Sequence, residues 1–132
     1  MNYFAFVAAV VGAFAASSAW YIAFGKEMAK QRAAMTAGAA ADIRRAPAWK
    51  YLAELGRNFV IAFVLAQLVG LVGIVDWVGA AQLGALVWIG FPLVILAGSA
   101  MWENVPWRLA AIHSGDWLVK LLLLAVILGV WR

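Results

Sequence analysis

The stretch "HSGDWLVKLLLLAVILGVWR", residues 113–132, decides the kind of fold this chain adopts. From Leu121 to Trp131 no charged side chain interrupts it. With the apolar residues just upstream it reaches the about 20 residues that a helix needs to cross about 30 Å of hydrocarbon. Three ionisable residues, His113, Asp116 and Lys120, stand at its head. Their i, i+3, i+7 spacing puts them along one helix face.

The remainder of the 132 residues matches this reading, since 67% are hydrophobic and only 12% charged. Soluble domains run at about 45–50% and about 25% respectively, so a water-soluble fold of this size has no interior large enough. Four segments of spanning length follow, at about 3–24, 55–75, 78–101 and 110–131, forming one all-α transmembrane domain over residues 1–132. "AASSA" imitates a signal cleavage site, but "MNYF" has no basic region and the first apolar run is longer than a signal's. There is no cysteine and one histidine, which excludes disulfides, thiolate nucleophiles and a multi-histidine metal site within the chain. No metal or other cofactor is expected.

The one sizeable polar segment connects the first two spans. It carries Lys26, Lys30, Arg32, Arg44, Arg45, Lys50 and Arg57, seven of the ten basic residues. The positive-inside rule places it in the cytoplasm, which puts the Arg108 turn on the same side and both termini and Asp76 outside. The net charge of +4 is thereby explained by orientation, not by nucleic-acid binding. The segment at about 26–50 is expected to be partly helical, because it is rich in Ala, Glu27, Lys30 and Gln31, with Pro47 as a stop. A thin stripe of Met28, Met35 and Ile43 suits either the lipid headgroup layer or a solvated connecting helix.

Trp20, Tyr21, Trp49, Tyr51, Trp102 and Trp107 read as an aromatic belt at one interface, and Tyr3, Trp77 and Trp131 at the other. Small residues recur every four positions, as Ala5, Ala9, Ala13 and Ser17 in the first span, Ala62, Ala66 and Gly70 in the second, and Ala80 and Gly84 in the third. In lipid such rows favour close helix contact, within a tight bundle or a homo-oligomer. Pro92 deprives the third span of a backbone donor and predicts a kink.

Chemistry has to come from the few polar residues inside the spans. Lys120 falls near the bilayer midplane, where a lysine costs about 2.5–3.5 kcal/mol to insert. Asp116, one turn away, is spaced to pair with it, and Gln67 of the second span is a candidate hydrogen-bond partner. Asn58, Arg57, Ser99 and Glu103 cluster nearer the cytoplasmic edge. The candidate polar site is therefore His113, Asp116, Lys120, Gln67, Asn58 and Glu103. Two readings are open: a polar track for protons or a solute, and an ion pair that merely neutralises itself at a helix contact. Nucleophile-elbow serines, paired catalytic carboxylates and phosphate loops are absent, so an enzyme is not expected.

"WYIAFGK" (20–26), "WIGF" (88–91), "ENVPWRLAAIHSG" (103–115) and "ILGVWR" (127–132) occur in order along nearly the whole chain. In this the sequence resembles the small bacterial four-helix membrane proteins grouped as domain of unknown function 1761. The resemblance implies a compact four-helix bundle in a bacterial inner membrane and brings no activity with it. The expectation is a small transporter-like or channel-like protein handling a proton or solute. The alternative is a non-catalytic accessory or structural subunit of a larger membrane complex, with the lipid bilayer and other membrane subunits or further copies of itself as partners.

Overall fold

A computed structural model describes residues 3–35 and 48–131. The order is α1 (Tyr3–Ala23), α2 (Gly25–Met35), α3 (Ala48–Val72), α4 (Trp77–Trp88), a π-helical turn (Ile89–Leu93), α5 (Val94–Trp102) and α6 (Trp107–Val130), with no strand among the described residues. Among the described residues four helices are long and apolar enough to cross a membrane: α1, α3, the continuous run Trp77–Trp102, and α6. The four expected spans are thus present. The second begins at Ala48 instead of about residue 55, because a polar turn and a half containing Lys50 and Glu54 extends the helix before the apolar run that hydropathy recognises.

α6 is the centre of the bundle. It packs against α1, α3, α4 and α5, and its start meets α2. Eleven of its residues are buried, from Leu109 to Gly129, and they point in several directions, as expected of a helix with neighbours on most sides. α1 offers the row Ala5, Ala9, Ala13 and Ser17, all buried. α3 buries Asn58, Ala62, Leu65 and Val69 along one face and leaves Phe59, Val60, Phe63, Val64 and Leu71 exposed. Outward-facing apolar side chains are what a lipid-embedded helix presents.

α4 approaches α6 at backbone distance. A methyl group at Gly84 would stand 3.1 Å from the Leu121 carbonyl oxygen and 3.4 Å from Ala125 Cβ, so only glycine permits this spacing without displacement. The turn before α4 is short because both of its ends are capped. Ile74 N–H donates back to the Val69 carbonyl at 3.1 Å past Gly73 (φ +79°), and Asp76 Oδ1 accepts from Gly79 N–H at 2.9 Å.

Pro92 does interrupt the third span. The missing donor is accommodated by the π turn Ile89–Leu93, with Pro92 itself buried. The connection at 26–50 is helical over α2, as expected, while Ile43 and Pro47 lie outside the described residues. Met28 does not face a headgroup layer. It is buried with Leu109 and Ile112 beneath Trp20, Tyr21 and Val105, which docks α2 on the first turns of α6. Glu27 and Arg108 add an ion pair at 3.3 Å on the outside of this contact.

Candidate polar site around Lys120

The i, i+3, i+7 spacing on α6 does what it predicts: His113, Asp116 and Lys120 line one cavity of about 670 Å³. α1 contributes Ser17 and Tyr21, one turn apart on the face that meets α6, and α3 contributes Glu54 and Arg57. The cavity thus occupies the end of the bundle that carries α2. Lys120 is thirteen residues beyond Trp107, about 20 Å along a helix of about 36 Å, so its backbone stands near the middle of the span.

Lys120 is 2% exposed, and two carboxylates compensate its charge. Nζ donates to Glu54 Oε1 at 3.3 Å and lies 3.6 Å from Asp116 Oδ2, an ionic contact beyond hydrogen-bond length. It also stands 4.7 Å from the centroid of the Trp117 ring, whose negative face favours a cation. Glu54 in turn holds Arg57 at 2.8 Å. Two cations and two carboxylates therefore balance within the site.

Asp116, 3% exposed, accepts from Ser17 Oγ at 2.7 Å and from Tyr21 Oη at 3.1 Å. Tyr21 Oη is also 2.9 Å from His113 Nδ1. The phenol has a single proton, and an ionised Asp116 only accepts, so that proton is committed to Asp116. His113 then donates from Nδ1 to the phenol oxygen. The result is a directed chain from His113 through Tyr21 to Asp116, beside Lys120, Glu54 and Arg57, with the donors and acceptors that proton transfer or polar-solute binding uses.

Two indoles hold this part of α6 from opposite neighbours. Trp20 Nε1 donates to the Ile112 carbonyl at 2.9 Å, and Trp88 Nε1 to the Ser114 carbonyl at 2.8 Å. Gly115 follows directly after the second of these residues. A methyl there would meet the Trp20 ring, with Cη2 at 2.8 Å and Cζ2 closer still. The missing side chain is thus the seat of the indole, and the seat fixes the turn from which Asp116 projects.

Of the expected site residues, His113, Asp116 and Lys120 are brought together and Gln67, Asn58 and Glu103 are not. Gln67 is on the exposed side of α3, about 200° around the helix from buried Leu65, and does not reach Lys120. Asn58 is fully buried, but neither amide atom has a hydrogen-bond partner, and it does not line the cavity. Glu103 is exposed at the end of α5, where its backbone N–H donates to the Ser99 carbonyl. Trp49, Trp107 and Trp131 are exposed, as interfacial anchors would be. Trp20 and Tyr21 instead turn inward and make the bonds described above.

Sequence reasoning missed Ser17, Glu54 and Trp117 as site residues and gave Tyr21 a different role. Ser17 and Tyr21 continue the buried row of α1 at the same four-residue spacing, which was the available signal. Among the described residues no group of three or more His, Asp or Glu side chains is placed to hold a metal ion.

No curated protein and no solved structure matches the chain. A family model does, over residues 4–129, and its description is "Protein of unknown function (DUF1761)". That match takes in all four apolar helices and every residue of the polar site, so the chain belongs to the DUF1761 family.

Proposed function

We propose that this is a non-catalytic protein of the bacterial inner membrane, with both termini outside and the connection around 26–57 in the cytoplasm. In this reading it takes a proton or a small polar solute into the Lys120 cavity in a transporter-like manner. The observation that supports this best is that the buried Lys120 borders a cavity of about 670 Å³ instead of being sealed dry against Asp116. A pair that only neutralised itself at a helix contact would be expected to pack closed, since protein interiors keep few voids larger than a water molecule. Toward the other end of the bundle the interior is filled by Val69, Ile74, Ala80 and Ala125. Transport would therefore need a second conformation that opens this apolar end.

The natural absence of cysteine makes a clean test possible. Ser18 is exposed and lines the cavity, so Ser18→Cys should react with a membrane-impermeant maleimide in inside-out vesicles and not in right-side-out ones. In proteoliposomes loaded with a pH-sensitive dye, the wild-type chain should pass protons or a co-transported solute faster than Asp116→Asn. Equal reactivity from both sides, or no flux above empty liposomes, would overturn the proposal.

The accessory-subunit reading is favoured by a different observation. Gln67 and Gly70 of α3 face outward within the span, giving a second membrane helix a hydrogen-bonding group and room for close approach. Gln67→Cys should then form a disulfide dimer, or cross-link to another subunit, in native membranes; a chain that stays monomeric under oxidation excludes that face as an interface.

A further inference from the structure

The polar cavity shares two of its walls with an apolar groove. The groove, about 360 Å³, runs between α3 and the third span, with Val64 and Leu68 on one side, Phe91 and Ile95 on the other, and Leu121 of α6 beneath. Leu96 and Trp117 line both spaces. Trp117 is the ring on which the Lys120 ammonium rests, so one side chain divides a charged chamber from a hydrocarbon slot. α3 packs mainly on α1 and α6, and the third span mainly on α6, which leaves this slot between them. From Val60 to Leu68 it extends about 12 Å along α3, close to the depth of one leaflet's hydrocarbon.

We propose that the chamber and the groove are two halves of one site for a membrane amphiphile, whose uncharged, carbonyl-bearing head occupies the chamber and whose hydrocarbon chain occupies the groove. This rests on the cavity reading above and gives the solute a class and a lateral route from the bilayer. The charge balance selects the head. Lys120 and Arg57 are matched by Glu54 and Asp116, so a head with net charge would place an uncompensated charge beside the buried Lys120 and Asp116. The capacity left over is mainly for donation. Lys120 and Arg57 each have N–H groups beyond their bonds to Glu54, while Asp116 already accepts from Ser17 and Tyr21. Such donors suit ester or quinone oxygens. An acylglycerol and a prenyl quinone share this chemistry, and competition separates them.

The probe is a monoacylglycerol carrying a diazirine at the end of its chain, photolysed with the full-length protein in phosphatidylcholine vesicles. Labelling should concentrate on peptides containing Val60–Leu68 and Val87–Leu96, above that on the exposed Tyr3–Val11 region of α1. Excess unlabelled monoacylglycerol or a prenyl quinone should compete, and whichever does so better names the source; phosphatidylglycerol should not compete. Val64→Trp, which fills the groove from an exposed position, should lower groove labelling about fivefold, and Ile95→Trp on the opposite wall should do the same. Uniform labelling of all lipid-facing helices, or competition by phosphatidylglycerol, would overturn the proposal. If Ser18→Cys still reacts from one side while groove labelling fails, the polar cavity stands and only the amphiphile is refuted. If Ser18→Cys is unreactive from either side, the cavity reading itself fails.

Discussion

Replacing Lys120 by methionine strands Asp116, and the size of the effect follows from what surrounds that carboxylate. Met keeps the length of the stem and its contact with Trp117 but removes the ammonium that stands 3.6 Å from Asp116 Oδ2 and 3.3 Å from Glu54 Oε1. Glu54 is half-buried and retains Arg57 at 2.8 Å, so it loses little. Asp116 is 3% exposed and keeps only the neutral donors Ser17 and Tyr21. Removing one partner of a buried pair costs about 3–5 kcal/mol; with two hydrogen bonds left to Asp116, the lower end applies, about 3 kcal/mol. Asp116→Asn leaves Lys120 its bond to Glu54 and should cost about 1–2 kcal/mol. The double variant has no unpaired charge at position 116 or 120. It should lose about 2 kcal/mol or less, well short of additivity, a coupling of roughly 2–3 kcal/mol. Reversible unfolding in mixed micelles, followed by tryptophan fluorescence and circular dichroism, measures all three. Additivity within about 0.5 kcal/mol, or a Lys120→Met cost below about 1 kcal/mol, would refute the argument.

Gly115→Ala should destabilise by about 2–4 kcal/mol, combining overpacking against Trp20 with loss of its bond to the Ile112 carbonyl. Trp20→Ala should partly relieve that penalty in the double variant, which the same unfolding assay reads. Asn58→Leu preserves side-chain branching and removes two buried, unpartnered polar atoms, so it should stabilise by about 1 kcal/mol, visible as a higher midpoint; a lower midpoint contradicts the burial argument. At the surface, Glu27 is held below the usual carboxylate range, first by the hydrogen bond from Gln31 and then by Arg108. A depressed folded-state value gives stability that is present above the ordinary glutamate range, about 4.3, and lost as pH falls through the folded value. Glu27→Gln should therefore lower the thermal midpoint slightly at pH 7, and the difference from wild type should vanish in strong acid.

Hydropathy sufficed for the four spans, because length and absence of charge are what the bilayer selects. It did not show that the second helix starts before its apolar run, because Lys50 and Glu54 look like loop residues although they stand in the first turns of α3. That is also why Glu54, the second counter-ion of Lys120, went unseen. The spacing of His113, Asp116 and Lys120 identified their shared face without a structure. Which helix faced them was not legible, since away from that polar face α6 is apolar all round and has no stripe from which to read a neighbour. Gln67 illustrates the same gap: the direction in which it points depends on Asn58, Ala62, Leu65 and Val69 turning inward. Trp20 and Gly115 both belonged to the pattern that resembled the family. The reason they occur together, one filling the space that the other leaves, is a contact between positions ninety-five residues apart.

The π turn at Ile89–Leu93 has a consequence for the rest of its span. Such a turn holds one residue more than an α-helical turn, and a single residue turns a helix by about 100°. Everything beyond it is therefore rotated by about that angle relative to an uninterrupted helix. In this phase Ile95 looks into the apolar groove and Leu96 stands at the junction with the polar chamber. The third span thus works as two half-helices on separate rotational settings, the first fitted to the close contact of Gly84 with α6 and the second to the walls of the site.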